Sequence, residues 1–266
     1  MKTGRVINWA FYIYIALAFA FIFTPILASF VFSFNSDRFP SLPLGSFSLK
    51  WYATVLNRPE VIQAAWTSLL VAVCTSLLST FIGFSTAYTD YRYRFFGKQA
   101  YLALAMLPPT IPLIIMALAM LSWLAQIGLS GKVISIIIAH TVLAAPFAMA
   151  VIRLRLNDMD PNLEAASWNL GASEWRAMRE VVIPFAIPSI IAALCLTAAV
   201  SFDEFAVAWF VSGLNKTIPV VILEILQGNV DPQINAIGTF VFIITIALIV
   251  IAQMLMLSKG KKEETA

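Results

Sequence analysis

The sequence predicts an all-α, polytopic membrane protein with six transmembrane helices, and three observations lead there. Hydrophobic residues make up 61% of the 266 and mean hydropathy is +0.88, whereas soluble domains are roughly 45–50% apolar. Only 12% of residues are charged, and their spacing leaves six long charge-free gaps: Arg5 to Asp37, Glu60 to Asp90, Lys98 to Lys132, Lys132 to Arg153, Glu180 to Asp203 and Asp231 to Lys259. Each gap holds the roughly 20 residues that a helix needs to cross about 30 Å of hydrocarbon. The gaps are continuously apolar rather than alternating at period two, which excludes an outer-membrane barrel, and only helices satisfy their own amides in lipid.

The first apolar run, Trp9 to Phe34, follows basic residues as a signal peptide would. It far exceeds the 7–15 apolar residues of a signal sequence, so it reads as an uncleaved span. Asn35 to Glu60 is rich in Pro, Ser and Gly and reads as an external loop, with Trp51 and Tyr52 as interfacial anchors. The second span, about Val61 to Thr89, ends in the basic loop DYRYRFFGK, which could be read as a lipid-headgroup patch but reads better as an orientation signal. Pro108, Pro109 and Pro112 remove backbone donors from the third span and should kink it.

A turn at Gly128 to Gly131 leads into the fourth span, Lys132 to Ile152, whose single His140 reads as a hydrogen-bonded packing residue. Pro184 and Pro188 open a fifth span running to about Val211, and a sixth runs from about Gln233 to Leu257. Between them, Thr217 to Val230 is apolar but too short to cross, so an interfacial or re-entrant helix is expected. Cys74 and Cys195 lie within spans and read as small core residues. The tail SKGKKEETA is charged.

With six spans, both termini and the loops near residues 90–99 and 153–181 share one side of the membrane. That side carries 12 of the 17 Lys and Arg residues, the other 5. By the positive-inside rule both termini are expected in the cytoplasm.

The loop Arg153 to Val181 is the most polar stretch of the chain, with nine charged residues in 29. A charge at the bilayer centre costs roughly 2.5–3.5 kcal/mol, so this island must sit in water or against a soluble partner. It reads as two short helices broken near Gly171. Asp160 would cap the first with Pro161 at its first position, small Ala165 and Ala166 would allow close approach, and Ser173, Glu174 and Trp175 would restart the second.

Glu164, Ala165, Ala166, then Gly171, then Val181, Ile183 and Pro184 resemble the EAA loop of the permease subunits of ABC importers. Four residues, Ser167 to Leu170, separate EAA from the glycine where that family usually has three. Glu164 therefore stands one residue early, about 100° around a helix. The chain also resembles the spermidine/putrescine-type permeases, specifically the second of their two membrane subunits, through FNSDRF, YRYRFFGK and LGASEW. The resemblance implies the type I permease fold as a single domain over residues 1–266, with 153–181 as its coupling loop. It further implies a place in a bacterial inner membrane and a complex with a second permease subunit, two cytoplasmic ATPase subunits and an external substrate-binding protein. Glu164, Ala165, Ala166, Gly171, Ala172 and Ser173 would carry the contact to the ATPase.

No GxxxxGK[ST] phosphate loop occurs: Gly97-Lys98 and Gly131-Lys132 lack the spacing and the hydroxyl residue. The chain is thus expected to be a non-catalytic subunit without cofactor or metal, surrounded by membrane lipid and without a nucleic-acid partner. Asp203 and Glu204 in AVSFDEFAVAWF are intramembrane carboxylates near the far end of the fifth span, and such groups face a cavity or the bundle interior. They could line a path for a cationic amine, with Phe202, Phe205 and Trp209 offering cation-π contact, or bond to the partner subunit. Glu224 is a further pathway candidate. A polyamine is the leading substrate; another organic cation or a phosphonate would suit the same importer class. A stand-alone secondary transporter would need coupling-ion carboxylates near the midplane, and a non-transporting scaffold would use the island alone.

Overall fold

The computed structural model describes residues 2–38, 43–160, 162–228 and 232–263. In chain order its helices are α1 (Lys2–Ser33), α2 (Lys50–Leu56), α3 (Pro59–Arg92), α4 (Lys98–Ala105), α5 (Leu113–Gln126), α6 (Val133–Asn157), α7 (Asn162–Asn169), α8 (Glu174–Ala177), α9 (Ile183–Asp203), α10 (Ala206–Val211), α11 (Ile218–Gly228) and α12 (Gln233–Glu263). A 3₁₀ turn, Pro108–Thr110, precedes α5, and a π-helical turn, Met178–Val182, joins α8 to α9. Four stretches are long and apolar enough to cross a bilayer unaided: Ile7–Ser33, Pro59–Arg92, Val133–Asn157 and Glu174–Asp203. The third charge-free gap is filled by the broken series α4, 3₁₀ turn and α5, and the sixth by α12.

The chain divides into two compact units. The smaller comprises residues up to Val61 together with Ile222–Ile244. None of the apolar window of α1 is buried (0%), so its side chains suit lipid or a neighbouring subunit. Just beyond α1, the chain folds back on Asn35. Its side-chain oxygen accepts from the Gly45 amide at 2.9 Å, its carbonyl accepts from Trp51 Nε1 at 2.7 Å, and it forms an antiparallel bridge with Phe47. Phe34 packs between the rings of Phe47 and Tyr52, with centroids 5.2 and 5.3 Å away, and Tyr52 OH shares a hydrogen bond with Ser33 at 2.7 Å. Trp51 and Tyr52, expected as interfacial anchors, thus tie this segment to the end of α1.

The larger unit, Ile62–Val221 with Thr245–Ala266, is built around α6, whose apolar window is 67% buried. Two apolar clusters lie along it. Ile136, Ala139 and Leu143 pack with Met116 and Leu124 of α5 and Val207, Ala208 and Val211 of α10; nearer the other end, Ala148, Met149, Ile152 and Leu156 pack with Ala87 of α3 and Val182, Ala186 and Ala193 of the α9 region. Cys74 packs against the first of these clusters. His140 shares a 2.9 Å hydrogen bond between Nδ1 and Ser201 Oγ, so α6 and α9 are joined by a buried polar contact as well as by packing.

The prolines act differently in the two places where they cluster. At Pro108–Pro112 the helix stops: the Leu107 carbonyl accepts from the Thr110 amide at 2.9 Å and its hydroxyl at 2.7 Å, closing the turn that the missing donors leave open. Pro184 stands in the first turn of α9, as expected, but helical turns from Glu174 precede it without a break, and Pro188 lies inside the helix. The π turn at Met178–Val182 supplies the extra residue that relieves the clash between a proline ring and the preceding turn. This span does not continue to Val211, because it breaks after Asp203 and resumes as α10.

Two glycine contacts set the spacing of the larger unit. A Cβ on Gly83 would stand 2.6 Å from both the Met149 amide nitrogen and Ala148 Cβ, so α3 meets the α6 backbone there. At the other end, Gly131 and Gly213 both have positive φ (75° and 58°), and a Cβ on Gly213 would lie 2.8 Å from Gly131 Cα. Bonds from the Gly131 amide to Val211 O (3.2 Å) and from Asn215 Nδ2 to Gly131 O (2.8 Å) hold these two turns together.

Replacing Gly83 with valine should push α3 off α6 at a cost of about 1–3 kcal/mol. The expected readout is a lower midpoint in thermal denaturation of the purified detergent-solubilised complex. An unchanged midpoint would show that the two helices do not depend on this approach.

Candidate functional sites at the polar loop and the helix break

The polar loop begins later than the charge pattern implied. Because α6 runs to Asn157, Arg153 and Arg155 lie on its final turns, and Arg155 stacks its guanidinium 4.1 Å from the Phe185 ring centroid. Asp160 Oδ1 accepts from the Asn162 amide at 2.9 Å, as an N-cap should; the expected role of Pro161 falls outside the described residues. Helix α7 then ends in a left-handed turn. Gly171 has φ +86°, its amide donates to Trp168 O at 2.8 Å and the Ala172 amide donates to Ser167 O at 3.0 Å. These are the two crossed bonds by which a glycine stops a helix. Ser173 caps α8 by accepting from the Arg176 amide at 3.3 Å.

Glu164 points inward. It is 3% exposed, accepts from Tyr88 OH at 3.4 Å and lies 4.0 Å from Arg92 Nε on the last turn of α3. Arg92 also reaches Glu174 at 3.7 Å through a terminal nitrogen and covers the Trp168 ring at 4.4 Å. One guanidinium thus touches α7 twice and α8 once. The Glu174 contact is solvated and worth little, while the buried Glu164 depends on Arg92 and Tyr88 for compensation. Ala165 and Ala172 are half-buried, and Ala166, Gly171 and Ser173 are exposed. Leu163, Leu170 (89% exposed) and Trp175 (67% exposed) also project outward, giving the loop an apolar face in an otherwise charged stretch.

A second ionic cluster sits at the same end of the larger unit. Asp90, 6% exposed, accepts from Lys98 Nζ at 2.9 Å and from Arg153 Nε, tying the basic loop after α3 to α6. Tyr88, Asp90, Arg92 and Trp168 were not among the sequence-derived candidates. A lone carboxylate inside a basic loop was the available signal.

Asp203 and Glu204 lie where α9 breaks. Glu204 is extended (ψ 115°), and its Oε1 accepts from the Val207 amide at 2.9 Å, capping α10. Asp203 is exposed and has no ion-pair partner among the described residues. Phe205 and Trp209 are also exposed and occupy one face of α10, four residues apart, whereas Phe202 is turned into the protein and 4% exposed. Glu224 is half-buried on α11, within the smaller unit.

Residues 79–258 match the family described as binding-protein-dependent transport system inner membrane component. The chain is 33% identical over 240 residues to the spermidine/putrescine transport system permease protein PotC of Haemophilus influenzae, covering 90% of this chain and 93% of the relative. Its identity to PotC of Escherichia coli is 30% over 259 residues, covering 97% of each. Among solved structures, a subunit of a bacterial ABC transporter that imports the acidic polysaccharide alginate superposes with a TM-score of 0.72 at 17% identity, over 97% of this chain and 98% of that one. A subunit of the MetNI methionine ABC transporter superposes with a TM-score of 0.62 at 20% identity, over 74% of this chain and 94% of that one. The chain belongs to the family of binding-protein-dependent transport system inner membrane components, the non-catalytic permease subunits of ABC importers.

Proposed function

We propose that this permease forms half of the membrane path of an importer for polyamine-class cations, paired with a second permease subunit and served by an external binding protein. Both termini and the loop at 158–173 face the cytoplasm, where α7 rests in a groove of an ATPase subunit and each permease engages one of two such subunits. The observation that carries the coupling role is the division of labour within α7 and its closing turn: Glu164 is held against α3 while Leu163, Ala166 and Leu170 are exposed. Spacings of three, four and seven residues put those three side chains on one helical face, the pattern of a helix laid into a groove.

A push on α7 passes through Arg92 to the end of α3 and through α8 and the π turn to α9. At the far end of α9 the chain breaks at Asp203, so motion of this helix reaches the candidate cation contacts. Asp203 supplies an unneutralised carboxylate, and Phe205 and Trp209 supply ring faces suited to an amine. Glu204 holds the start of α10, and Phe202 anchors the end of α9 in the core. The names of the PotC relatives support a polyamine as the substrate.

In the assembled importer, Leu170→Glu should reduce recovery of the ATPase subunits on the tagged permease by about tenfold or more, as for a desolvated interface anchor. Uptake should be lost in parallel while the permease remains in the membrane; full recovery of the ATPase would place its contact elsewhere. For the path, Asp203→Asn in the same complex should lower spermidine uptake severalfold while leaving substrate-stimulated ATP hydrolysis detectable. Undiminished uptake would remove Asp203 from the route.

A further inference from the structure

The break in the third apolar stretch leaves a cavity of about 160 Å³ against α6, lined by Met106, Met149, Ala150, Arg153, Leu154 and Asn157. Ala150, Arg153, Leu154 and Asn157 recur at intervals of three and four residues, so they form one stripe on the last two turns of α6. Met106 is the residue at which α4 stops before the proline turn. The cavity is therefore graded: thioether and aliphatic walls at one end, a guanidinium and an amide at the other. Its charged end is also one-sided. Arg153 spends its Nε on Asp90, leaving its terminal nitrogens without a partner among the described residues. Lys98 shares that same carboxylate, and Arg94 in the adjoining loop is exposed and without an ion-pair partner among the described residues. Two cations thus share the one carboxylate of Asp90, and Arg153 is the charged residue that lines the cavity, with no acidic side chain in its wall. In the same loop Tyr93, Phe95 and Phe96 are exposed, as expected of aromatic side chains at the level of lipid headgroups.

We infer that this cavity is a binding site for an anionic phospholipid, with the phosphate against Arg153 and Asn157 and the start of an acyl chain along Met106, Met149, Ala150 and Leu154. The apolar wall commits the site to a lipid, because a free phosphate would leave that surface unused. The leaflet rests on the cytoplasmic placement proposed above, but lipid retention in detergent does not depend on orientation. Failure of either reading is therefore seen separately, the orientation through labelling of a cysteine introduced at Leu170 from one side of the membrane.

The test is native mass spectrometry of the delipidated, purified importer complex after titration with phosphatidylglycerol or phosphatidylcholine. Wild type is expected to retain phosphatidylglycerol preferentially, and Arg153→Gln to lose about fivefold of that retention, the effect of one basic side chain at a membrane surface. Since this change also removes a partner of Asp90, Ala150→Phe provides the second arm: it fills the cavity without touching the ion pair and should abolish the preference in a complex of unchanged subunit composition. Equal retention of the two lipids, or undiminished preference in both variants, would overturn the proposal. Displacement of phosphatidylglycerol by excess inorganic phosphate would do so too, assigning the site to a free anion. A cross-link from Ala150→Cys to the second permease would equally overturn it, by showing that protein covers this face.

Discussion

Hydrocarbon cannot solvate a backbone amide or a charge, and the larger unit meets three interruptions of its helices with devices from within the protein. The three interruptions use different devices. At Leu107 a threonine contributes both amide and hydroxyl to one carbonyl; before Pro184 a π turn absorbs the ring; after Asp203 the Glu204 carboxylate takes the free amide of Val207. The third device has a consequence for function. Of two adjacent acidic residues, one is occupied by the backbone and the other is exposed without an ion-pair partner among the described residues, so the pair that looks symmetrical in sequence is divided into a structural and a candidate transport residue.

The same economy governs the polar end. Burying a carboxylate is unfavourable unless cations and donors meet it, and this end buries two. Asp90 is met by Lys98 and Arg153, which joins α3, the basic loop and α6. Glu164 is met by Arg92 and Tyr88, which joins α7 to α3. Together the two clusters attach the polar loop and the basic loop to the end of the bundle, leaving apolar side chains of α7 and Trp175 as its outward surface. Charge that the sequence offers as an orientation signal therefore serves in the fold as cross-bracing.

Much of this was legible in the sequence. Charge-free gaps set the helical class, and among the described residues four of the six hold a helix long and apolar enough to cross a bilayer, because insertion in lipid is decided by local composition over about 20 residues. Glycine and its neighbours set the stop after α7, since a left-handed turn is a property of a few consecutive residues. The likeness of Glu164, Ala165, Ala166 and Gly171 to an EAA loop led to the same family that the relatives show. Local reading failed where proline could either start, stop or be accommodated within a helix. Composition does not distinguish these: the helix stops at Pro108–Pro112, whereas Pro188 is carried inside α9, beside Val182 and Ala186 packed against α6.

By itself, then, the sequence determined what lipid would accept: how many apolar stretches there are, which segment must leave the membrane, and that no phosphate loop accompanies them. Only the tertiary structure decided the direction in which each polar side chain is spent. The extra residue before Gly171 was visible as a rotation of about 100°, but that Glu164 meets Arg92 depends on where the last turn of α3 lies, more than seventy positions earlier in the chain. The division between Asp203 and Glu204 likewise required the break that separates α9 from α10. Membrane insertion is a transfer free energy summed along the chain, whereas a hydrogen bond requires two groups within about 3 Å in space, and residues distant in sequence meet only after folding.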